Sequence, residues 1–226
     1  MADVIRCEGL SCGYAGVKVL RNVSFRLRRG ESMLLIGHNG AGKSTLLKTL
    51  FGLQAPLGGR ADVCGLRAGE GHAEALIRRG ARFLGQGPRG FDALSVPQQR
   101  NVLTRLYGMA PDGGEPSPGV AASRLVGGLS GGQKRLEALR MLEAGEPELF
   151  LLDEPLAGVD IHNSSAILDW IVERQQAGVS FVVADHQFRE FLPLIDTTMA
   201  IRRGVVTFHD RSDKLQAEAR LADVYL

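Results

Sequence analysis

The sequence predicts an α/β fold in which a mostly parallel sheet is covered by helices, with an antiparallel sheet beside it at the N-terminal end. Two observations support this fold class. Short continuous apolar runs are separated by segments with helical spacing, which is typical of buried parallel strands. These runs are SMLLI (32–36), ARFLG (81–85), ELFLLD (148–153) and VSFVVAD (179–185). In contrast, the segment 17–31 alternates apolar and polar residues before a turn, which favours an antiparallel strand.

Length and charge indicate a single functional unit without a strong electrostatic field. The chain has 226 residues, 27 of them Lys or Arg and 25 Asp or Glu, which leaves a formal net charge of +2. A chain of this length buries a substantial core, and so balanced a charge favours neither nucleic acid nor an anionic membrane. The first residues lack the pattern of a secretory signal, and no run approaches the ~20 apolar residues needed to cross a bilayer. We therefore expect a chain that is soluble by itself.

The three cysteines, Cys7, Cys12 and Cys64, are not arranged as a metal or redox site. None of them falls in the close pairs that zinc ligation or disulfide exchange uses. We expect buried thiols in a reducing cytosol.

The region from about 86 to 145 is predicted to be a helical insertion with a loose middle. Residues 108–128 are dense in Gly and Pro and poor in large apolar side chains, so they should form a loop. Helical spacing is present on both sides of this loop, over 96–108 and after Ser130.

A phosphate-binding loop is predicted from the stretch GHNGAGKST, which directly follows an apolar strand and directly precedes a helix. The glycines allow backbone N–H groups to surround a β-phosphate, and the helix N-terminus adds unpaired donors and a positive dipole end. A lysine then reaches the β- and γ-oxygens, and the following serine is a ligand for Mg²⁺. The residues concerned are Gly37, His38, Asn39, Gly40, Ala41, Gly42, Lys43, Ser44 and Thr45.

Two later strands end in polar residues that suit hydrolysis of a bound nucleotide. Asp153 and Glu154 follow the run LFLL, and the carboxyl end of a central parallel strand faces the ligand crevice. We expect Asp153 to hold Mg²⁺ through water and Glu154 to polarise the attacking water. Asp185 and His186 end the next apolar strand, where a histidine is either a structural residue or a group that detects the γ-phosphate.

With these motifs in order, the chain resembles the ATP-binding subunits of ABC transporters over essentially its whole length. Tyr14, in SCGYAG, is similar to the aromatic residue that stacks on adenine in this family. Gln86, in FLGQGP, resembles the glutamine that touches Mg²⁺ and faces the membrane partner. Asp160 matches the aspartate of the loop that crosses the dimer interface, and His186 matches the switch histidine.

The resemblance also explains a second glycine-rich stretch, LSGGQ at 129–133, as the family signature. Its residues precede a helix and so form a helix N-terminus suited to an anion. In this family the signature binds the γ-phosphate of ATP held by the other subunit, and two chains lie head to tail around two ATPs. The residues that the resemblance assigns to this role are Ser130, Gly131, Gly132 and Gln133.

As a whole, the resemblance implies a P-loop ATPase of ABC type that drives transport. It implies one domain over 1–226, with the helical subdomain at about 86–145, and ATP and Mg²⁺ as cofactors. The metal would be held by Ser44, Gln86 and Asp153, and catalysis would use Lys43, Glu154 and His186. The implied partners are a transmembrane permease and a second ATP-binding subunit, identical or related, and no nucleic acid. The chain would then lie in the cytoplasm, peripherally on the inner face of the cell membrane.

Within the family, the stretches DEPLAGVD, ADHQFRE and DVYL are most similar to the subunits of lipopolysaccharide-export and branched-chain amino acid transporters. Two departures from the family pattern concern the insertion. The interval from Gln86 to Leu129 is shorter than usual, so the helical subdomain is expected to be reduced. The helix after LSGGQ is one residue short, which leaves open which way Arg135 and Arg140 face.

Two other functions fit part of the motif set. A non-transport ATPase of ABC type, in DNA repair, chromosome maintenance or translation, would favour a long coiled coil, two motif sets or a basic face. A P-loop kinase or monomeric nucleotide switch would use LSGGQ merely as a helix cap. No long coiled coil, second motif set or basic face is visible in the sequence, and the complete, ordered motif set argues against a kinase or switch, so the sequence favours the transporter motor.

Overall fold

A computed structural model of the protein describes residues 2–87, 91–107, 120–121, 123–186 and 188–211. The strands are β1 (Asp3–Tyr14), β2 (Val17–Arg28), β3 (Ser32–Ile36), β4 (Gly58–Val63), β5 (Leu66–Arg67), β6 (Ala81–Leu84), β7 (Leu149–Asp153), β8 (Ser180–Ala184), β9 (Thr197–Arg202) and β10 (Val205–Arg211). The helices are α1 (Lys43–Leu50), α2 (Ala73–Arg78), α3 (Val96–Tyr107), α4 (Gly131–Met141), α5 (Ile161–Gln176) and α6 (Phe188–Phe191).

The larger sheet has the strand order β10-β9-β3-β8-β7-β6, and all its pairs are parallel except β9 with β10. Every residue of β3, β7 and β8 is buried, which explains why these strands read as continuous apolar runs. The predicted run 32–36 matches β3, and the other three predicted runs extend one residue or two beyond β6, β7 and β8. The mostly parallel sheet is therefore confirmed.

The smaller sheet is antiparallel, with the order β2-β1-β4-β5. The alternating segment that predicted it forms β2, where Leu20, Val23, Phe25 and Leu27 are buried. The prediction of an N-terminal antiparallel sheet is confirmed. The strands β1, β4 and β5, which complete it, lack so regular an alternation.

The larger sheet packs against an apolar layer on each of its two faces. Met33 and Leu35 of β3 belong to the layer shared with β1, β2 and α1. Leu34 and Ile36 face the layer that contains α4 and α5, where Trp170 packs on Phe150 and Phe181. Because successive strand residues point to opposite faces, one short apolar run serves both layers. The loops at the carboxyl ends of these strands are thereby placed at one edge.

All three cysteines are buried and unpaired to one another, as the sequence predicts for thiols. Burial raises the pKa of Cys12 to about 11 and that of Cys64 to about 12. Burial also raises the pKa of Cys7. Among the described residues, no group of three or more His, Cys, Asp and Glu side chains is arranged to hold a metal ion.

Helices α3 and α4 confirm the predicted helices on either side of the Gly/Pro-rich loop. Residues 108–119 and 122 of that loop lie outside the described residues, and Val126–Gly128 forms a short 3-10 turn. A small apolar cluster joins α3, this turn and α4, and it consists of Val96, Val120, Val126, Leu129 and Met141. In the part of the chain that is described, no helix has the length and apolar character required to cross a membrane.

Candidate nucleotide-binding site

The glycine-rich loop connects β3 to α1, as its sequence predicts. Gly37 adopts a positive φ of 155°, and a Cβ there would lie 2.4 Å from the carbonyl oxygen of Ile201. Gly42 is the N-cap of α1 with φ 108°, and a Cβ there would lie 2.8 Å from Leu20. These positions require glycine because the backbone approaches its neighbours closely. The two glycines thus allow the loop to pack closely against Ile201 and Leu20 at the start of α1.

Lys43 is buried inside this loop. Its Nζ donates hydrogen bonds to the carbonyl oxygens of Gly37 at 2.6 Å and His38 at 3.3 Å. Burial lowers the pKa of the lysine, and the negative charges of Glu154, Asp153 and Asp185 oppose that effect. The ammonium group is therefore held by backbone oxygens of the loop, and three nearby carboxylates partly compensate its buried charge.

Ser44, Gln86 and Asp153 meet at the end of the same loop. Ser44 Oγ donates to Asp153 Oδ1 at 3.0 Å, and Gln86 Nε2 donates to Ser44 Oγ at 3.1 Å and to Asp153 Oδ1 at 3.5 Å. Burial raises the pKa of the Asp153 carboxyl, while the hydrogen bonds from Ser44 and Gln86 lower it and the charge of Glu154 raises it. The three predicted metal ligands thus come together from three separate parts of the chain.

Glu154, next to Asp153, lies in the left-handed region with φ 51°. Its N–H donates to the carbonyl oxygen of Ala184 at 2.7 Å. Two residues later, the N–H of Leu156 donates to the buried carboxylate of Asp185 at 3.1 Å. The Nδ1 atom of His186 lies 3.6 Å from the other oxygen of Asp185, and its side chain is half exposed. The ends of β7 and β8 are therefore tied together beside the phosphate loop.

Tyr14 is half exposed at the end of β1. Its hydroxyl lies 3.5 Å from the Thr45 hydroxyl, which donates to it. Thr45 belongs to the first turn of α1, so the aromatic ring lies near the phosphate loop. Stacking of Tyr14 on adenine stays a prediction.

The signature residues form a second group at the N-terminus of α4. Ser130 Oγ accepts the N–H of Gln133 at 3.2 Å, and Gln133 Oε1 accepts the N–H of Ser130 at 3.1 Å. This is a capping box. The spacing S-x-x-Q in LSGGQ signals it, and from the sequence we consider a helix cap only under the kinase or switch alternative.

Asp160 caps the neighbouring helix α5. Its carboxylate accepts the backbone N–H of Asn163 at 3.0 Å and the side-chain amide of the same residue at 2.6 Å. These hydrogen bonds lower the pKa of Asp160. A Cβ on Gly132 would lie 2.7 Å from that of Asn163. The N-termini of α4 and α5, which carry the signature and Asp160, are therefore in direct contact.

Arg135 is a buried residue that sequence reasoning left unassigned. Its guanidinium donates to backbone oxygens on both sides of Gln86 and at the end of β7; the acceptors are Gly85, Gly87, Asp153, Glu154 and Pro155. The sequence left open which way Arg135 faces, and the structure shows that its side chain points into the protein. Arg135 follows Gly132 by three residues and precedes Leu139 by four. Residues at this spacing share one face of a helix, and both neighbours are buried, so the spacing places Arg135 on the buried face of α4.

A strand, a glycine loop with a buried lysine, a helix and a strand-end aspartate define a P-loop nucleotide-binding protein. The family model described as "ABC transporter" matches residues 20–157. The chain belongs to this family, whose ATP-binding subunits hydrolyse ATP to power transport. The predicted family, the ABC-type fold and the ATPase activity are therefore confirmed.

Two relatives support the assignment. A probable ABC transporter ATP-binding protein of Azorhizobium caulinodans is 30% identical, over 96% of this chain and 81% of its own length. The doxorubicin resistance ATP-binding protein of Mycobacterium tuberculosis is 28% identical, over 97% of this chain and 68% of its own.

A solved structure supports the fold. An ATP-binding cassette of an ABC transporter in its ADP conformation superposes with a TM-score of 0.84 at 22% identity, covering 100% of this chain and 99% of that one.

Proposed function

We propose that this chain is the motor subunit of an ABC transporter, which closes head to tail with a second ATP-binding subunit around two ATPs and drives a transmembrane permease. The observation that supports this proposal best is the meeting of Ser44, Gln86 and Asp153 beside the Lys43 loop. A hydroxyl, a carboxylate and an amide from three remote segments meet here, and this set of groups suits a metal-bound triphosphate.

The residues fit both ATP and Mg²⁺. Mg²⁺ prefers oxygen ligands, and hydroxyl, carboxylate and amide groups supply them. Proteins usually provide only a few of its ligands, and phosphate oxygens of the nucleotide would provide others. The buried carboxylate of Asp153 has a raised pKa, so a cation there would compensate its charge. When bound, Mg²⁺ would neutralise charge that develops on the phosphates. We assign Tyr14 to the adenine ring and the loop from Gly37 to Thr45 to the phosphates.

In the proposed reaction, Glu154 orients and polarises the attacking water as general base. Lys43 stabilises negative charge on the transferring phosphoryl group, since its ammonium is already desolvated inside the loop. His186 is placed by Asp185 at the end of the adjacent strand, where it donates to a γ-phosphate oxygen.

The second subunit explains the residues that lie at the N-termini of α4 and α5. Ser130 and the amides of Gly131 and Gly132 would face the γ-phosphate of the partner's ATP, as a helix N-terminus favours an anion. Asp160 lies at the adjoining helix start and would contact the same interface. The capping box of Ser130 and Gln133 fixes the orientation of these amides before a partner arrives.

We further propose one ATPase domain over 1–226, whose helical subdomain at about 86–145 carries the permease contact near Gln86. The name of the Azorhizobium caulinodans relative describes an ATP-binding protein of an ABC transporter, which supports a membrane partner. The chain would then lie on the cytoplasmic face of the membrane through that permease.

The catalytic assignment is tested by Glu154→Gln. This variant should bind MgATP with unchanged affinity, hydrolyse it about 10²–10⁴-fold more slowly and elute as a dimer in gel filtration when ATP is present. Glu173→Gln, on the exposed side of α5, is the matched control and should leave the rate unchanged. Hydrolysis by Glu154→Gln at the wild-type rate would show that another group is the base.

The dimer is tested by the ATPase rate of the wild-type chain as a function of protein concentration. A site shared between two subunits makes the rate rise faster than linearly until dimers saturate, whereas a monomeric enzyme gives a straight line. Gentle detergent extraction with this chain as bait should bring down a transmembrane subunit. Stimulation of the ATPase by nucleic acid with a steep salt dependence would instead indicate a non-transport function.

A further inference from the structure

Arg135 connects the three parts of the site that the proposed function requires to act together. Its Nη1 donates to the carbonyl oxygens of Gly85 at 2.9 Å and Gly87 at 3.1 Å, the residues on either side of Gln86. Its Nη2 donates to those of Asp153 at 2.8 Å and Glu154 at 2.5 Å. Only 6% of the residue's surface is exposed. The bonds to Gly85 and Asp153 are buried and those to Gly87 and Glu154 are partly buried, so loss of the donor would leave the buried oxygens unsatisfied.

The most informative of these acceptors is Glu154, because its backbone is in an unfavourable conformation. A residue with a side chain adopts φ 51° only when its surroundings hold it there. The N–H of Glu154 is held by Ala184, and its carbonyl oxygen is held by Arg135. The direction in which the Glu154 side chain leaves the strand therefore depends on the guanidinium.

Arg135 also lies on α4, five residues after Ser130. The same helix that presents the signature residues at its N-terminus thus holds Gln86 and Glu154 through one side chain. A planar fork with several donors spans these oxygens, which the compact ammonium of lysine does not.

We propose that Arg135 is a positioning residue: its guanidinium fixes the backbone of Glu154 and of the residues flanking Gln86 relative to the signature helix. This inference rests on the proposed function, since it assumes that Glu154 is the base. Arg135 contacts backbone carbonyls, so it acts on the hydrolytic step through Glu154 and Gln86 and contributes little to ATP binding.

A second buried arginine in the same fold provides a matched control. Arg82 is 3% exposed and also donates to backbone oxygens, among them Leu142 and Ala144 just beyond the C-terminus of α4, and Ile77 in α2. It anchors the opposite end of the same helix, away from the phosphate loop. Arg82→Lys therefore measures what a general loosening of α4 does to the enzyme.

The experiment compares Arg135→Lys, Arg135→Gln and Arg82→Lys with the wild-type chain. ATP titrations give kcat and KM at a temperature well below the melting point of the least stable variant. We expect both Arg135 variants to lose kcat by about tenfold or more, as for a misplaced catalytic group, with KM changed by less than about threefold. Arg82→Lys should lower the melting temperature but keep kcat within about twofold.

Wild-type kcat in either folded Arg135 variant, or an equal loss of kcat in Arg82→Lys, would overturn the proposal. It is also wrong if both Arg135 variants fail to fold while Arg82→Lys folds, because the residue would then be structural. Glu154→Gln is measured in the same assay. If it hydrolyses ATP normally, the proposed function fails; if it is inactive while the Arg135 variants are normal, only the present inference fails.

Discussion

Ser44 Oγ donates a 3.0 Å hydrogen bond to Asp153 Oδ1, joining the first turn of α1 to the end of β7 across 109 residues of sequence. The acceptor is a buried carboxylate whose pKa is raised, chiefly by desolvation. A carboxylate that would be more stable in water is thus held at the place where we propose that Mg²⁺ binds. In the metal-free protein, this charge opposes folding.

Asp153→Asn should consequently stabilise the metal-free chain while abolishing Mg²⁺-dependent hydrolysis. Asparagine keeps an oxygen that accepts from Ser44 and removes the buried charge. We expect a gain of about 1 kcal/mol in the free energy of unfolding at pH 7.5, measured by urea denaturation in EDTA. Lower stability of the variant would show that the ionised carboxylate is well compensated by its neighbours.

The pH dependence of this difference gives a second test. Because the folded pKa of Asp153 lies above the unfolded value, the protonated carboxyl favours the folded state at low pH, and that stability is lost as pH rises through the folded pKa. The advantage of Asp153→Asn should therefore be largest at neutral pH and disappear near the unfolded carboxyl pKa of about 4. Denaturation of both proteins at several pH values, compared as a difference, isolates this residue from the other carboxylates.

The strands and the phosphate loop were predictable from the sequence because their physical causes are local. In β3, β7 and β8, burial on both faces requires uninterrupted apolar residues. At Gly37 and Gly42, the backbone requires the absence of a side chain. By contrast, Arg135 is buried by carbonyl oxygens from distant segments. Its helical spacing indicates the buried face of α4, but nothing beside it in the sequence shows which groups accept its hydrogen bonds.

Two substitutions of Ser130 can separate its role as a helix cap from its proposed role in binding an anion. Ser130→Ala removes the side-chain acceptor for Gln133 and should cost about 1 kcal/mol of stability. Ser130→Asp keeps an N-cap acceptor and should retain the melting temperature, yet its negative charge would repel the partner's γ-phosphate and abolish hydrolysis. Thermal unfolding and ATPase rates of the two variants distinguish these effects. A fully active Ser130→Asp would contradict the interface role of this residue.

The contact between α4 and α5 leads us to predict that alanine at Gly132 destabilises the protein. A glycine-to-alanine change inside a helix is ordinarily stabilising by about 1 kcal/mol. At Gly132, however, the new methyl group would meet Asn163 at 2.7 Å, so we expect destabilisation by about 1–3 kcal/mol. Gly131→Ala is the matched control, since a Cβ at that position would lie an ordinary 3.5 Å from the carbonyl oxygen of Gly158. Equal melting temperatures for the two variants would mean that Asn163 of α5 shifts at little energetic cost to accommodate the methyl group.

The insertion contains a buried ion pair whose energetics can be measured directly. Arg100 of α3 donates to the Glu137 carboxylate of α4 at 3.3 Å, and their side chains are 7% and 0% exposed. Removing one partner leaves a buried charge, so Arg100→Met or Glu137→Leu alone should cost about 3–5 kcal/mol. The double variant should recover most of that loss, because two apolar side chains of similar volume replace the pair. A double-mutant cycle in urea checks this coupling, and additive losses would show that each residue is held mainly by other groups.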